Sequence, residues 1–419
     1  MPNFRAQLQR ELDDLEANHL LRHLRIVSTC GPNIRIANDR TSQQAQTYIN
    51  LASNDYLGIS EHPSIKAAVA EAVQTHGIGS GASKLVTGHS SLHEAVEKSF
   101  ASFKHAERAI FFPTGYMANL AALTSFAGPG DLICLDKLVH ASLIDAAKAS
   151  AAEIRTFPHL DASQDGKLPR LLSRHLKNHP TNRRLIVTDS IFSMDGDAAQ
   201  LYALAELAAR YDAILVVDEA HGTGVLGEGG AGLAELQGVA SKIDVTISTA
   251  SKALGGLGGM ITADKVICDT ILNHARSIIY TTSIPPAQVA AIDTATQIIQ
   301  QEPEHRHRLQ SLSLRLRAAL LSRGWELPPL RSDSEATPII PLILGDAAAA
   351  IQAAKSLLDH GFYAPAIRPP TVAPGSERVR ISLRADLSDD HLNRLIQAIE
   401  ELVPLREATK DGTQTVTSQ

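Results

Sequence analysis

The sequence predicts an α/β protein: a large domain built on a mainly parallel sheet, a smaller α+β C-terminal domain and an N-terminal arm. Between about Ile65 and Ser283, helical patterns alternate with short apolar runs. Several of these runs lack polar alternation, as expected of parallel strands covered on both faces by helices. Polar and glycine-rich motifs follow directly after the runs, at the strand ends where open α/β sheets collect their ligands.

Taken in order, Leu8, Leu12, Leu15 and Leu20 recur at near-helical spacing between Ala6 and about Arg25, which predicts an amphipathic surface helix. A polar stretch, NDRTSQQAQTY, leads to YINLASNDYLG, a short strand running into a turn, and closes the arm at residues 1–58. The large domain, 59–290, takes its strands from RAIFF, DLICLD, RRLIVTDS, AILVVDEAHG and IDVTISTASK. After a Pro-Pro turn a long helix containing AAIDTATQIIQ begins. Strand candidates ATPIIPLIL and RVRISL and helix candidates AAAAIQAAKSLLDHG and DDHLNRLIQAIEELV then make a small domain over 291–405. The polar end, KDGTQTVTSQ, predicts a flexible tail at 406–419.

Composition excludes several functions. Lys plus Arg number 39 against 45 Asp plus Glu, a net charge of −6 over 419 residues, which argues against general attraction to nucleic acid or an anionic membrane. Aromatic residues are 4% of the chain and Trp325 is the sole tryptophan, so stacking platforms for single strands are poorly supported. With 44% hydrophobic and 20% charged residues, a packed globular protein is expected. Cys30, Cys134 and Cys268 form no Cys-x-x-Cys pair, so no metal site is expected and a reducing, cytoplasmic setting is the simpler reading. The N-terminal residues lack the apolar run of a secretory signal, and apolar stretches such as AILVV fall far below the roughly 20 residues that span a bilayer.

The sharpest chemical signal is the pair AILVVDEAHGTGVLG and DVTISTASKALGGLGG. Asp218 and His221 follow one strand; Thr249, Ser251 and Lys252 follow the next, so a carboxylate and an amine can meet at neighbouring strand ends. An acid facing a pyridinium nitrogen and a lysine that condenses with an aldehyde are what pyridoxal 5'-phosphate (PLP) chemistry requires. Any one of these residues alone reads better as a surface group; the ordered set favours the cofactor. In FFPTGYMANLAAL, Thr114, Gly115 and Tyr116 open a helix whose free N–H groups suit a phosphate, with Thr249 and Ser251 as further donors. His140, in DKLVHASL, could stack on an aromatic ring or meet a substrate carboxylate, although the chain has 17 histidines. Ser193, in TDSIFSMDGD, could bond a ligand oxygen or serve a turn.

GYMANLAAL, DKLVHASLIDAA, TDSIFSMDGD, VDEAHGTGVLGEGG and STASKALGGLGG, in this order over nearly the whole chain, resemble the motifs of the α-oxoamine synthases, PLP enzymes of fold type I. The resemblance implies that Lys252 carries the cofactor covalently, Asp218 meets the ring nitrogen, His221 and Ser193 bond the phenolic oxygen, and His140 stacks over the ring. It implies a phosphate held by Gly115, Tyr116 and Thr249, with Thr281 or Thr282 of a second copy in a homodimer. Arg368 with Asn54 would bind the amino-acid carboxylate, and Arg22 and Thr371 the acyl substrate, although Arg25 competes with Arg22. AIRPPTVAPGSERVR is most similar to the members that condense L-alanine with pimeloyl-CoA, or a pimeloyl carrier protein, toward biotin. Members that use glycine and acetyl-CoA, and an inactive binding subunit, are the alternatives. The chain departs from the family pattern at Lys84, where arginine is common, and its Gly79-Ser80-Gly81 run reads as a tight backbone path rather than a nucleotide loop.

Overall fold

In the computed structural model, which describes residues 3–17, 20–37 and 45–406, seven strands form the main sheet. In chain order they are β1 (Arg108–Phe112), β2 (Leu132–Asp136), β3 (Glu153–Phe157), β4 (Arg184–Asp189), β5 (Ile214–Asp218), β6 (Val245–Thr249) and β7 (Gly259–Ala263). Their order across the sheet is β1-β7-β6-β5-β4-β2-β3. β7 runs antiparallel to both of its neighbours and every other pairing is parallel. Every residue of β2, β4 and β6 is buried, which is why these strands read as unbroken apolar runs. The sequence marked β1, β2, β4, β5 and β6 but not β3, whose residues are largely exposed at the sheet edge, or β7, which begins inside the glycine run.

The chain divides into two compact units. The larger, Ser53–Pro341 with Ile381–Ser388, carries the main sheet. The helix Gly115–Phe126 lays Ala118, Ala121, Ala122 and Leu123 into the core beside Ile110, Val187, Val216 and Ile247. Small residues on that face let the helix lie close to the sheet. The helix Pro286–Gln301 packs on the helices Pro63–His76 and Ser91–Phe103, burying Val289, Ile292 and Ala295. These contacts hold the segment beyond residue 290, as far as Pro341, with the sheet.

The smaller unit comprises Met1–Ala52, Leu342–Arg380 and Asp389–Gln419. Its first helix, Phe4–Ala17, has no buried residue and is shorter than the leucine spacing predicts: Leu20 to Arg25 is irregular, and a hairpin of Ile26–Cys30 and Asn33–Ala37 follows. The β-branched run Ile26-Val27 and Thr29 favours the pleated conformation, and Gly31, at φ 53°, makes the turn. The hairpin continues antiparallel into Gln46–Asn50, which pairs in parallel with Phe362–Tyr363. The helices Ala347–Asp359 and Asp389–Glu400 pack on each other, matching the two C-terminal helix candidates. Both expected C-terminal strands form, as Ile339–Ile343 and Arg378–Ser382. Of the tail expected at 406–419, Arg406 ends a helical turn and residues 407–419 lie outside the described residues.

One ionic clamp ties the loop after β4 to the rest of the sheet's C-terminal rim. His159 lies 2.9 Å from Asp136 Oδ1 through Nδ1 and 2.9 Å from Asp197 Oδ2 through Nε2. Its ring also meets Phe192 edge-on. Although burial alone would lower the imidazole's pKa, the two carboxylates outweigh it and raise the value from 6.5 to about 9. The clamp's contribution is therefore fully present below pH 6.5 and is lost as pH rises through about 9. Replacing His159 with Gln should lower stability at pH 7 by about 1–3 kcal/mol. In urea melts it should also remove most of the decline in stability that the wild type shows between pH 6.5 and 9.

Candidate active site

A cavity of about 290 Å³ opens at the C-terminal ends of the parallel strands in the larger unit. Asp218, the last residue of β5, is buried at its wall. Its Oδ2 accepts a hydrogen bond from Asn119 Nδ2 (2.9 Å) and its Oδ1 one from the Ala220 N–H (2.9 Å), so the carboxylate is aimed from both sides. Lys252 lines the same cavity from the loop after β6. That loop folds back through Ala250 N–H to Gly258 O and Gly256 N–H to Ala250 O. It turns at Gly255, whose φ of 67° and backbone contact with Ser60 leave no room for a side chain.

Across the cavity the helix Gly115–Phe126 begins. Thr114 caps it by accepting from the Met117 N–H, and the amides of Gly115 and Tyr116 have no acceptor within the helix. A Cβ on Gly115 would meet the Thr249 side chain at 3.4 Å, ordinary contact, so a side chain that extends beyond Cβ would crowd this spot. Thr249 Oγ1 is itself 2.9 Å from Ser251 Oγ. Thr249 Oγ1 also donates to Gly258 O (2.9 Å), so at this spot two hydroxyls flank a helix N-terminus whose free amides suit a phosphate dianion. The Tyr116 hydroxyl donates to Asp145 (2.8 Å), which raises its pKa, so Tyr116 offers its ring and its amide rather than its phenol.

Three histidine and carboxyl groups complete the wall. His221 Nδ1 is 2.7 Å from the hydroxyl of Tyr56, a fully buried ring whose hydroxyl also donates to Asn54 Oδ1 (3.2 Å). His140 caps the helix Ala141–Ala149, its Nδ1 facing Ser142. Part of its ring is open to solvent, but burial of the rest lowers its pKa; Asp218 opposes that shift and Lys252 adds to it. Asp189 ends β4 in register with Asp218 and is buried. Burial, then the neighbouring Asp218 charge, pushes its carboxyl well above the usual range. Its Oδ1 receives the His140 N–H at 3.4 Å.

A profile of the family described as aminotransferase class I and II matches residues 46–399. The chain is 42% identical to a putative 8-amino-7-oxononanoate synthase of Desulforudis audaxviator, over 95% of this chain and all of the relative. It is 40% identical to the 8-amino-7-oxononanoate synthase of Aromatoleum aromaticum, over 94% of this chain and 98% of that one. The chain belongs to the α-oxoamine synthases. The fold agrees: serine palmitoyltransferase of S. paucimobilis, solved with PLP and myriocin bound, superposes with a TM-score of 0.85 at 27% identity, covering 96% of this chain and 98% of that one. As an α-oxoamine synthase of fold type I, this chain is a PLP-dependent acyltransferase. Its cavity fits that cofactor, with an acid, an amine and an anion cup at one group of strand ends.

The α-oxoamine synthase signature brings Gly115, Tyr116, His140, Asp218, His221, Thr249 and Lys252 to one cavity. Ser193 is half-buried in the loop after β4 and is not among the lining residues, whereas Ile191 and Asp189 are. Asn54 reaches the wall through Tyr56. Arg22, Arg368 and Thr371 belong to the smaller unit. Arg22 is exposed between the first helix and the hairpin, while Arg25 lies over the ring of Tyr363. Arg368 is half-buried after the strand Ala366–Ile367, and its carbonyl accepts from the exposed Thr371. Lys84 lines a different pocket and is ion-paired with the buried Glu97, so this position is neutralised internally.

Sequence reasoning missed Asp189, Asn119 and Tyr56. Each stood inside a quoted motif, TDSIFSMDGD, GYMANLAAL and NLASNDYLG, but only three-dimensional pairing shows that Asp189 and Asn119 line the cavity and that Tyr56 bonds His221, which does. Gly115→Val places a branched side chain against Thr249 and should weaken PLP binding by about 1–2 kcal/mol, roughly five- to thirtyfold. A fluorescence titration of the apoprotein with PLP measures it; an unchanged Kd would remove Gly115 from the anion cup.

Proposed function

We infer that this chain is an 8-amino-7-oxononanoate synthase, condensing L-alanine with a pimeloyl thioester, CoA or carrier-protein bound, and releasing the thiol and carbon dioxide. The observation that carries the reading is the meeting of Lys252, Asp218 and the Gly115–Thr249 cup in one cavity of a chain with about 40% identity to such synthases from end to end. PLP, when bound, supplies an electron sink that lets the alanine α-carbon carry negative charge.

The residues divide the remaining work. Lys252 Nζ anchors the cofactor and, once released, takes the proton from the alanine α-carbon as general base. Asp218, aimed by Asn119 and Ala220, keeps a proton on the ring nitrogen, which a neutral residue would not do. His221, oriented by Tyr56, and Ser193 are assigned to the phenolic oxygen, and His140 to the face of the ring. Gly115, Tyr116, Thr249 and Ser251 hold the phosphate. The family pattern assigns the alanine carboxylate to Arg368 with Asn54, whose planar guanidinium and amide suit it, and the acyl substrate to Arg22 and Thr371.

The working form in this reading is a homodimer in the cytoplasm, with Thr281 or Thr282 of the second copy adding to the phosphate site. Exposed Ile78, Val86 and Tyr280 support a covered face in the larger unit. Among the described residues no helix is long and apolar enough to cross a membrane, and all three cysteines are free thiols, in keeping with a reducing setting.

Purified protein with PLP, L-alanine and a panel of acyl thioesters should release thiol fastest with the pimeloyl substrate. Glycine with acetyl-CoA should be slower by about two orders of magnitude in kcat/KM. Preference for a shorter acyl chain, or for glycine, would overturn the substrates named. Lys252→Ala should abolish turnover and the cofactor absorbance of the protein-bound form.

A further inference from the structure

His140 is assigned to the ring face by family resemblance, but that says nothing of which nitrogen carries its proton. A chain of four side chains decides it. Asp218 Oδ2 is 2.9 Å from the side-chain nitrogen of Asn119, and a carboxylate facing an amide oxygen at that distance would set acceptor against acceptor, so the amide orientation is fixed by Asp218. The same Nδ2 is 2.7 Å from Ser142 Oγ, so both of its hydrogens are committed. Ser142 Oγ, having accepted from Asn119, gives its own hydrogen to the next atom in line, His140 Nδ1, at 2.7 Å. The Ser142 backbone N–H also donates to Nδ1, at 3.3 Å, and a backbone amide cannot reverse its role.

Nδ1 therefore faces two donors and is an acceptor, which leaves the ring proton on Nε2. Protonating Nδ1 would set its N–H against the Ser142 backbone N–H and, with Ser142 Oγ then accepting from both Asn119 and His140, would turn the hydroxyl hydrogen away from the ring. Asn119 and Ser142 are both buried, so no solvent rescues a broken link. Asn119 Oδ1 is buried without a partner, consistent with an amide turned to suit its two acceptors rather than its own oxygen.

We propose that Asn119 and Ser142 are positioning residues that hold His140 as the neutral tautomer with its proton on Nε2, making that N–H the one hydrogen bond the ring offers to a substrate oxygen. The inference rests on the cavity being the condensation site. The charged groups around His140 pull both ways: Asp218 and, from its own helix, Asp145 favour an imidazolium, while Lys252 opposes it; Asp189 meets only its main-chain N–H. Burial outweighs the acids, so the neutral ring persists below the ordinary titration point of 6.5.

The test uses holoenzyme labelled with nitrogen-15 histidine, with the His140 signals identified as those lost in His140→Gln. At pH 7 the wild type should show Nε2 protonated and Nδ1 as an unprotonated acceptor, a pattern retained below pH 6.5. In Ser142→Ala the ring should exchange between tautomers and gain its proton at higher pH. That variant should also lose about tenfold in kcat, with the acidic limb of the pH profile moved up. Ser142→Thr, which keeps the hydroxyl, should restore both. A wild-type ring protonated on Nδ1, or a Ser142→Ala ring with wild-type tautomer and titration, overturns the proposal. The NMR readings do not depend on which thioester is consumed, so they separate this proposal from the substrate assignment.

Discussion

The register between neighbouring parallel strands is the constraint on which the site depends. Asp189 sits opposite Asp218, and Asp218 opposite Ile247, so β4, β5 and β6 reach their last residues at nearly the same level. Because side chains alternate along a strand, a slip of one residue in β5 would turn Asp218 to the other face of the sheet. The apolar runs Ile186-Val187 and Leu215-Val216-Val217 lie wholly inside the protein and resist such a slip. The core thus does more than stabilise. It fixes the height at which acid, amine and anion cup meet.

Two carboxyl groups ending adjacent strands are a second constraint, since both ionised in a buried cavity would repel strongly. The surroundings break the tie. Asp218 has a side-chain amide and a backbone N–H aimed at it, whereas Asp189 has one long bond from the His140 N–H and is pushed toward its neutral form. One negative charge at the wall would suit a protonated ring nitrogen, and a second buried charge beside it would have no cation to pair with. Asp189 therefore contributes shape and a main-chain anchor without spending the site's charge balance.

Much of this was legible in the sequence because it is local. The strand-end motifs carry Asp218, His221, Thr249 and Lys252 within a few residues of apolar runs that any parallel sheet would bury. The edge strand β3 was not legible, since its exposed residues give no buried pattern, and β7 was hidden because Gly259 opens it. The hairpin Ile26–Ala37 was overlooked because the leucine spacing before it suggested a longer helix. Tyr56 and Asn119 were illegible for a different reason. Their partners, His221 and Asp218, are 165 and 99 positions away, and no periodicity encodes such a contact.

A last step joins local folding to chemistry. His140 is the N-cap of the helix Ala141–Ala149, and an N-cap must present an acceptor to the first free N–H groups of its helix. For most caps that acceptor is an oxygen; here it is Nδ1, so the imidazolium or the other tautomer costs this helix end its cap. The energy that starts the helix and the energy that selects the proton position are then the same interaction. Capping alone would leave the ring free to exchange whenever the helix end frayed. The Ser142 hydroxyl, fed by Asn119 and through it by Asp218, ties the cap to the buried floor of the sheet, so the Asp218 carboxylate and the His140 proton are set by one continuous line of hydrogen bonds.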